Sequence, residues 1–211
     1  WYAEQERRYR GNPELLKQEF PATPQEAFIG MSGLVFPMWD EEVHLAEDPC
    51  GWKDYRVRVA GVDPGGGDPT AIVPLGATRA WHIHQPGEYY RPGPNSAHLD
   101  EMASYLMNWH TEAPFDAVLV DPGDNAVINY LANIGLPAMP ADNDRSAILD
   151  LRALLSERPA RFTMNPACVN SRKEFPTYRW RPGTDPNSKE HFLTSTPFDN
   201  HGDAHDCRRY A

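Results

Sequence analysis

Two apolar strands that each run into an aspartate and then a Pro-Gly turn constrain this chain more than anything else in it. The first lies within Val59–Val73. Tyr55 to Val62 alternates arginine with valine and then turns fully apolar, as a strand entering a core does. Asp63 ends it, and Pro64-Gly65-Gly66-Gly67-Asp68-Pro69 turns the chain into a second apolar run from Thr70. With a period of two, Val57, Val59, Gly61 and Asp63 share one face, and Gly61 is expected to leave space beside the carboxylate for a ligand or metal. An ionisable group at the end of a central strand needs compensation, and a metal is the usual one. The same residues also suit an aspartate that merely opens an Asp-Pro-Gly turn.

The second such strand is Phe115-Asp-Ala-Val-Leu-Val-Asp121, followed by Pro122-Gly123. If the two strands are parallel neighbours, their carboxylates stand about 5 Å apart at one sheet edge. Two carboxylates that close cannot both stay ionised without a cation between them. Hard oxygen donors select Mg²⁺ or Mn²⁺. The carboxyl ends of strands in an open α/β sheet are also where sites usually lie. A third acidic group, Asp203-Ala-His-Asp206, puts two carboxylates on one face of a C-terminal helix. In isolation it would suit a solvated acidic face equally well.

The remaining pattern supplies the frame. Strands are expected at about 55–63, 70–76 and 79–84, joined by short connections as in an antiparallel meander. A Pro-rich loop over Gln85–Asn95 leads to a helix that Ser96 can cap, with Leu99, Met102, Leu106 and Trp109 as its apolar stripe. The strand ending at Asp121 is followed by a helix capped by Asp124 or Asn125 and closed by Gly135. A helix carrying Ile148, Leu151 and Leu155 runs on to Pro159, and Arg161–Met164 is a short strand. A helix is expected within Asn165–Tyr178, turns within Arg179–Pro197, and a final helix within Asp199–Ala211. Strands in a meander followed by alternating helices and strands make a mixed sheet flanked by helices, an α/β domain.

The net charge of −10 argues against tight DNA binding by long-range electrostatics. It is unevenly spread: residues 1–144 carry −13 and residues 145–211 carry +3, so a polyanion surface belongs in the last third. Arg145, Arg172, Lys173, Arg179 and Arg181 are the candidate phosphate contacts there. No run of about 18 apolar residues offers a membrane span. Cys50, Cys168 and Cys207 have no CxxC spacing and suit reduced thiols. His82 and His84 share a strand face without the further ligands a zinc site needs. His201 and His205 flank the third acidic group; a solvated helix position suits each, and a proton-transfer or phosphate-contact role is the sharper alternative. Trp1 is an improbable natural start, so the chain is expected to be a piece of a longer protein, with residues 1–30 a linker and 31–211 the domain.

Four pieces together resemble the C-terminal nuclease domain of the large terminase subunit of tailed double-stranded-DNA bacteriophages, an RNase H-like (retroviral-integrase-like) fold. Phe20-Pro-Ala-Thr23-Pro24-Gln-Glu26-Ala27-Phe28 is similar to the segment that joins the ATPase to the nuclease in that family. Gly61-Val-Asp63-Pro-Gly65 with Asp68-Pro-Thr70-Ala resembles its first strand and turn, and Val120-Asp121 its second acidic strand. Gly202-Asp203-Ala-His-Asp206-Cys-Arg-Arg209-Tyr210-Ala211 is similar to its closing Asp-x-x-Asp-Ala helix, with Cys207 where alanine is usual. The resemblance implies a metal-dependent endonuclease that cuts concatemeric viral DNA during packaging, with little sequence specificity, in the host bacterial cytoplasm. It implies two Mg²⁺ or Mn²⁺ ions held by Asp63, Asp121, and Asp203 or Asp206, with Asp63 bridging and Asp203 favoured as the third ligand. The implied partners are double-stranded DNA, an ATPase domain, a small subunit and a portal ring, with the isolated domain a monomer. No GxxxxGK[ST] occurs, so this piece alone is not expected to hydrolyse ATP. Two other readings share the opening motif: an actin-like or sugar-kinase phosphate loop, for which 211 residues are short, and a noncatalytic docking module.

Overall fold

The computed structural model describes residues 33–65, 68–92, 99–142, 146–184, 191–197 and 203–211. The expected linker over 1–30, the cap at Ser96, His201 and Arg145 lie outside them. The chain divides into two compact units, and Asp40–Glu174 with the last residues from Gly202 form the larger.

The larger unit begins with α1 (Glu41–His44), capped by the Asp40 side chain, and a 3-10 turn at Trp52–Asp54. Then come β1 (Val57–Asp63), β2 (Thr70–Ala77), β3 (Ile83–Gln85), β4 (Tyr89–Arg91), α2 (Leu99–Glu112) and β5 (Ala117–Val120). They are followed by α3 (Asn125–Asn133), β6 (Ala138–Pro140), α4 (Ser146–Ser156), β7 (Phe162–Met164), α5 (Val169–Glu174) and α6 (Asp203–Tyr210). The sheet order is β6-β5-β1-β2-β3-β7, with β4 also on β2. β1, β2 and β3 are the expected antiparallel meander, and β5 lies parallel to β1 on its other side. Pro74 falls in the gap between β3 and β4, a stretch of β2 without an outer strand, where proline is tolerated.

Side-chain alternation assigns the two faces. Ala60, Val62, Val118 and Val120 point to one face and join Ile72, Met102, Leu106, Ile128 and Leu131 in the main core, under α2 and α3. Trp52 closes this core edge-on to Phe115 and Trp109 and donates its indole N–H to the Ala113 carbonyl at 3.0 Å. The alternate residues, Gly61, Asp63 and Leu119, face the other side, where α6 packs against β1 and β2. Gly135 (φ 96°) ends α3, with the Leu136 N–H returned to the Leu131 carbonyl, as expected of a glycine-terminated helix.

Several expectations shift. β3 starts at Ile83 because Thr78–Trp81 forms a turn in which Trp81 takes a left-handed φ of 59°. Two strands were not expected: Tyr89–Arg91 inside the Pro-rich loop, and Ala138–Pro140 beside β5. Both are three residues long and bounded by proline, too short for periodicity to register.

The smaller unit has its own aromatic cluster. Phe175 stacks on Trp39 at 4.0 Å and meets Phe36 edge-on at 5.4 Å. Leu34 bridges to Arg179, and β8 (Trp180–Thr184) pairs antiparallel with β9 (His191–Pro197), where turns were expected.

Candidate metal centre

Asp63 and Asp121 end parallel neighbours in register. Val62 pairs with Val120, and the Asp121 N–H donates to the Val62 carbonyl at 3.1 Å, so the two acids follow at the same sheet edge. Both lie on the face that carries α6. The approach of α6 is set by Gly61: a Cβ there would sit 1.8 Å from the Cys207 carbonyl oxygen. This corrects the expectation of open space beside Asp63. The missing side chain admits the backbone of α6, not a ligand. Cys207 is wholly buried at that contact and donates its thiol to the Ala71 carbonyl at 3.2 Å.

The consequence is that α6 delivers its carboxylates beside Asp63. Burial pushes the Asp63 carboxyl up to about 7, against the pull of a 3.0 Å hydrogen bond from the Gly65 N–H. Repulsion from Asp206, then Asp203, then Asp121 adds to the rise. Those three acids are thus the charges that Asp63 feels.

Each neighbour has a restraint. Asp121 accepts from the Gly123 N–H at 2.7 Å through Oδ1 and from the Tyr210 hydroxyl at 2.7 Å through Oδ2. Asp203 is 8% exposed and accepts from the Tyr90 hydroxyl at 2.8 Å. Asp206 is paired with Arg209 at 3.2 Å. Burial and then the bonded carboxylates push the Tyr90 and Tyr210 phenols up, so both remain donors. Among the described residues, no three or more His, Cys, Asp or Glu side chains stand close enough together, as held, to enclose an ion. The donor chemistry nevertheless suits a hard divalent cation, because the acids that bear on one another are all carboxylates. Bringing them onto one ion requires side chains to turn away from Tyr90, Tyr210 or Arg209.

Behind α6 lies a buried polar network that the sequence did not reveal. Glu174, at the end of α5, accepts from the Ala204 N–H at 3.3 Å and the His205 N–H at 3.1 Å, satisfying two of the donors that a helix start leaves open. Burial pushes its carboxyl up to about 8, opposed by Arg208 and by those N–H groups. Arg208 donates to Gln85 at 2.9 Å and to His205 Nδ1 at 2.8 Å. His205 is therefore not a solvated helix residue: it is buried, and burial and Arg208 drive it well below its usual range. Tyr210 was legible in part, being four residues after Asp206 on the same helix face. Glu174 gave no signal, since 28 intervening residues separate it from Asp203.

The other candidates are dispersed. Asp68 is exposed in the turn after Gly65. His82 and His84 both bond the Thr163 hydroxyl, at 2.7 and 2.8 Å, and burial holds His84 down to about 4. Arg172 grips Glu41 bidentately, its Nε 2.7 Å from Oε1. Lys173 is exposed on α5, and Arg179 and Arg181 are exposed in the smaller unit.

The fold is that of solved bacteriophage large terminases and their nuclease domains. The large terminase of the thermophilic bacteriophage D6E superposes with a TM-score of 0.66 at 20% identity, over 84% of this chain and 44% of that one. The nuclease domain of the P22 large terminase superposes at 0.63 and 19% identity, over 85% of this chain and 90% of that domain. The large terminase nuclease of thermophilic phage G20c, solved with bound cobalt, superposes at 0.54 and 17% identity, over 85% of this chain and 96% of that one. This chain thus spans less than half the length of the D6E protein and corresponds to nearly all of the separate nuclease domains. The expected RNase H-like fold is present. No protein-family model and no curated protein matches the chain.

Proposed function

We propose that this chain is the nuclease domain of a large terminase subunit: a metal-dependent endonuclease that cuts concatemeric viral double-stranded DNA during genome packaging. The observation that carries the reading is the convergence of Asp63, Asp121 and the α6 acids at one strand-end edge, in a fold shared with terminase nuclease domains. Asp63, Asp121 and Asp206 or Asp203 would hold the Mg²⁺ or Mn²⁺ ions. Both Asp206 and Asp203 bear on Asp63, and either can serve as the third ligand, with Asp203 the one favoured from the sequence. Such ions, when bound, supply an activated water and offset the charge of the leaving 3′ oxygen.

The chain's own residues set up that chemistry. Gly61 lets α6 approach the strand ends. Glu174 holds the start of α6 by two N–H groups. Tyr90 and Tyr210 hold Asp203 and Asp121 in the metal-free state. Lys173, Arg179 and Arg181 are exposed cations suited to phosphates, and phosphate contact without base readout gives little sequence specificity. An ATPase domain, a small subunit and a portal ring would be the partners of the longer protein, within the host cytoplasm.

Supercoiled plasmid tests the reading. Incubated with Mn²⁺ or Mg²⁺, the chain nicks and linearises it, and EDTA or Asp63→Ala abolishes cleavage. Nicking by Asp63→Ala at the wild-type rate would refute the assignment.

A further inference from the structure

The far end of the same sheet carries a second surface. Lys53, Asp54, Tyr55 and Arg56, just before β1, and Arg79, in the turn after β2, line an open cleft of about 570 Å³. The seven residues of β1 separate it from Asp63, a span of about 20 Å. Its floor is rigid. Tyr55 is 2% exposed, its ring fills the space over Gly76, and its hydroxyl donates to Asp48 at 2.6 Å. Its walls hold three cations to one carboxylate, in a chain of net charge −10. Among the described residues neither Lys53 nor Arg79 has a carboxylate within ion-pair reach.

Beside the cleft stands Trp81, 52% exposed, with the Arg56 guanidinium 5.0 Å from its ring centre. Its left-handed φ of 59° is strained for a bulky aromatic residue. Four bonds hold the turn in that state: Trp81 N–H to the Thr78 carbonyl, Thr78 N–H to the His82 carbonyl, His82 N–H to Thr78 Oγ1, and Arg161 to the Ala80 carbonyl. Strain held in place by surrounding bonds points to a function for the displayed group.

We propose that this surface binds single-stranded nucleic acid, with Lys53 and Arg79 on successive phosphates and an unpaired base stacked on the Trp81 indole. Cations that track a backbone beside an exposed aromatic are how single strands are held without sequence readout, and a paired duplex offers no base face to stack. The site goes beyond the nuclease reading and does not depend on it, because it lies at the other end of β1 and needs no metal.

The test is fluorescence anisotropy of a labelled twelve-residue oligothymidylate with the 211-residue chain in EDTA. Two phosphate contacts at about 0.7 each predict a log–log salt slope of about −1.4. Lys53→Glu with Arg79→Glu is expected to weaken binding at least about tenfold, and Trp81→Ala about fivefold or more, while Trp81→Phe keeps most of it. The binding is read without metal and at the other end of β1, so failure of the nuclease reading would leave this result intact. Wild-type affinity in the charge-reversed or Trp81→Ala proteins overturns the proposal. Two further results also overturn it: tighter binding of a blunt duplex that Trp81→Ala leaves unchanged, which would mark a duplex-backbone surface, and equal competition by polyglutamate, which would mark an acidic protein partner.

Discussion

Replacing Asp63 with asparagine should stabilise the metal-free protein while destroying its chemistry. Asp63 is pushed from an ordinary 3.8 to about 7, chiefly by burial and then by the acids of α6 and β5. A gap of that size corresponds to about 4 kcal/mol of penalty on the charged folded form. The raised value means that Asp63 takes up a proton on folding. Its contribution is therefore fully favourable below about pH 4, declines as pH rises, and is lost once pH passes about 7. Asparagine keeps the acceptor for the Gly65 N–H and carries no charge. If rotation of neighbouring carboxylates relieves half the penalty, about 2 kcal/mol remains, or about 4–8 °C in Tm for a chain of this size. The assay is thermal melting in EDTA across pH 4–8.5: the variant should melt higher than wild type above pH 7, and the gap should close towards pH 4. Saturating Mn²⁺ should raise the wild-type Tm and leave the variant nearly unmoved. An Asp63→Asn protein that melts at or below wild type at pH 8.5 would refute the reasoning, because Asp63 would then not be a strained charge.

Three further substitutions probe the frame. Gly61→Ala sets a Cβ 1.8 Å from the backbone of α6, and overpacking against backbone should lower stability by about 2 kcal/mol or more, with cleavage lost even at temperatures where the fold survives. Glu174→Ala leaves two N–H groups of α6 without their buried acceptor and removes the carboxylate that offsets the buried Arg208 charge; denaturant melts should fall by about 3 kcal/mol. Tyr210→Phe removes one hydrogen bond to Asp121, worth about 1.5–3 kcal/mol; Tm should drop while the Mn²⁺ affinity, read by calorimetry, holds or rises because Asp121 is freer to turn.

The strands that end in Asp63 and Asp121 were legible because apolar alternation and Pro-Gly turns are local signals. The meander followed from connection lengths, whereas the parallel pairing of β1 with β5 stood in the sequence only as a condition and is supplied by the structure. What sequence could not supply was distance between segments. Gly61 reads as an opening when only β1 is in view, and becomes a contact once α6 lies across it. His205 reads as polar and solvated until Arg208 and Glu174 close round it. β4 and β6 are three residues each, shorter than any period can establish, and are strands only because β2 and β5 present edges to them. Asp203 and Asp206 are not told apart by sequence either, since both share one helical face.

The most direct test of the central claim is a crystal of the chain soaked in Mn²⁺ and measured at the manganese absorption edge. The account predicts anomalous density at the β1–β5 edge, with Asp63 and Asp121 as ligands and Asp206 or Asp203 completing the set. Manganese bound elsewhere at saturating concentration, with Asp63 left off it, would contradict the account.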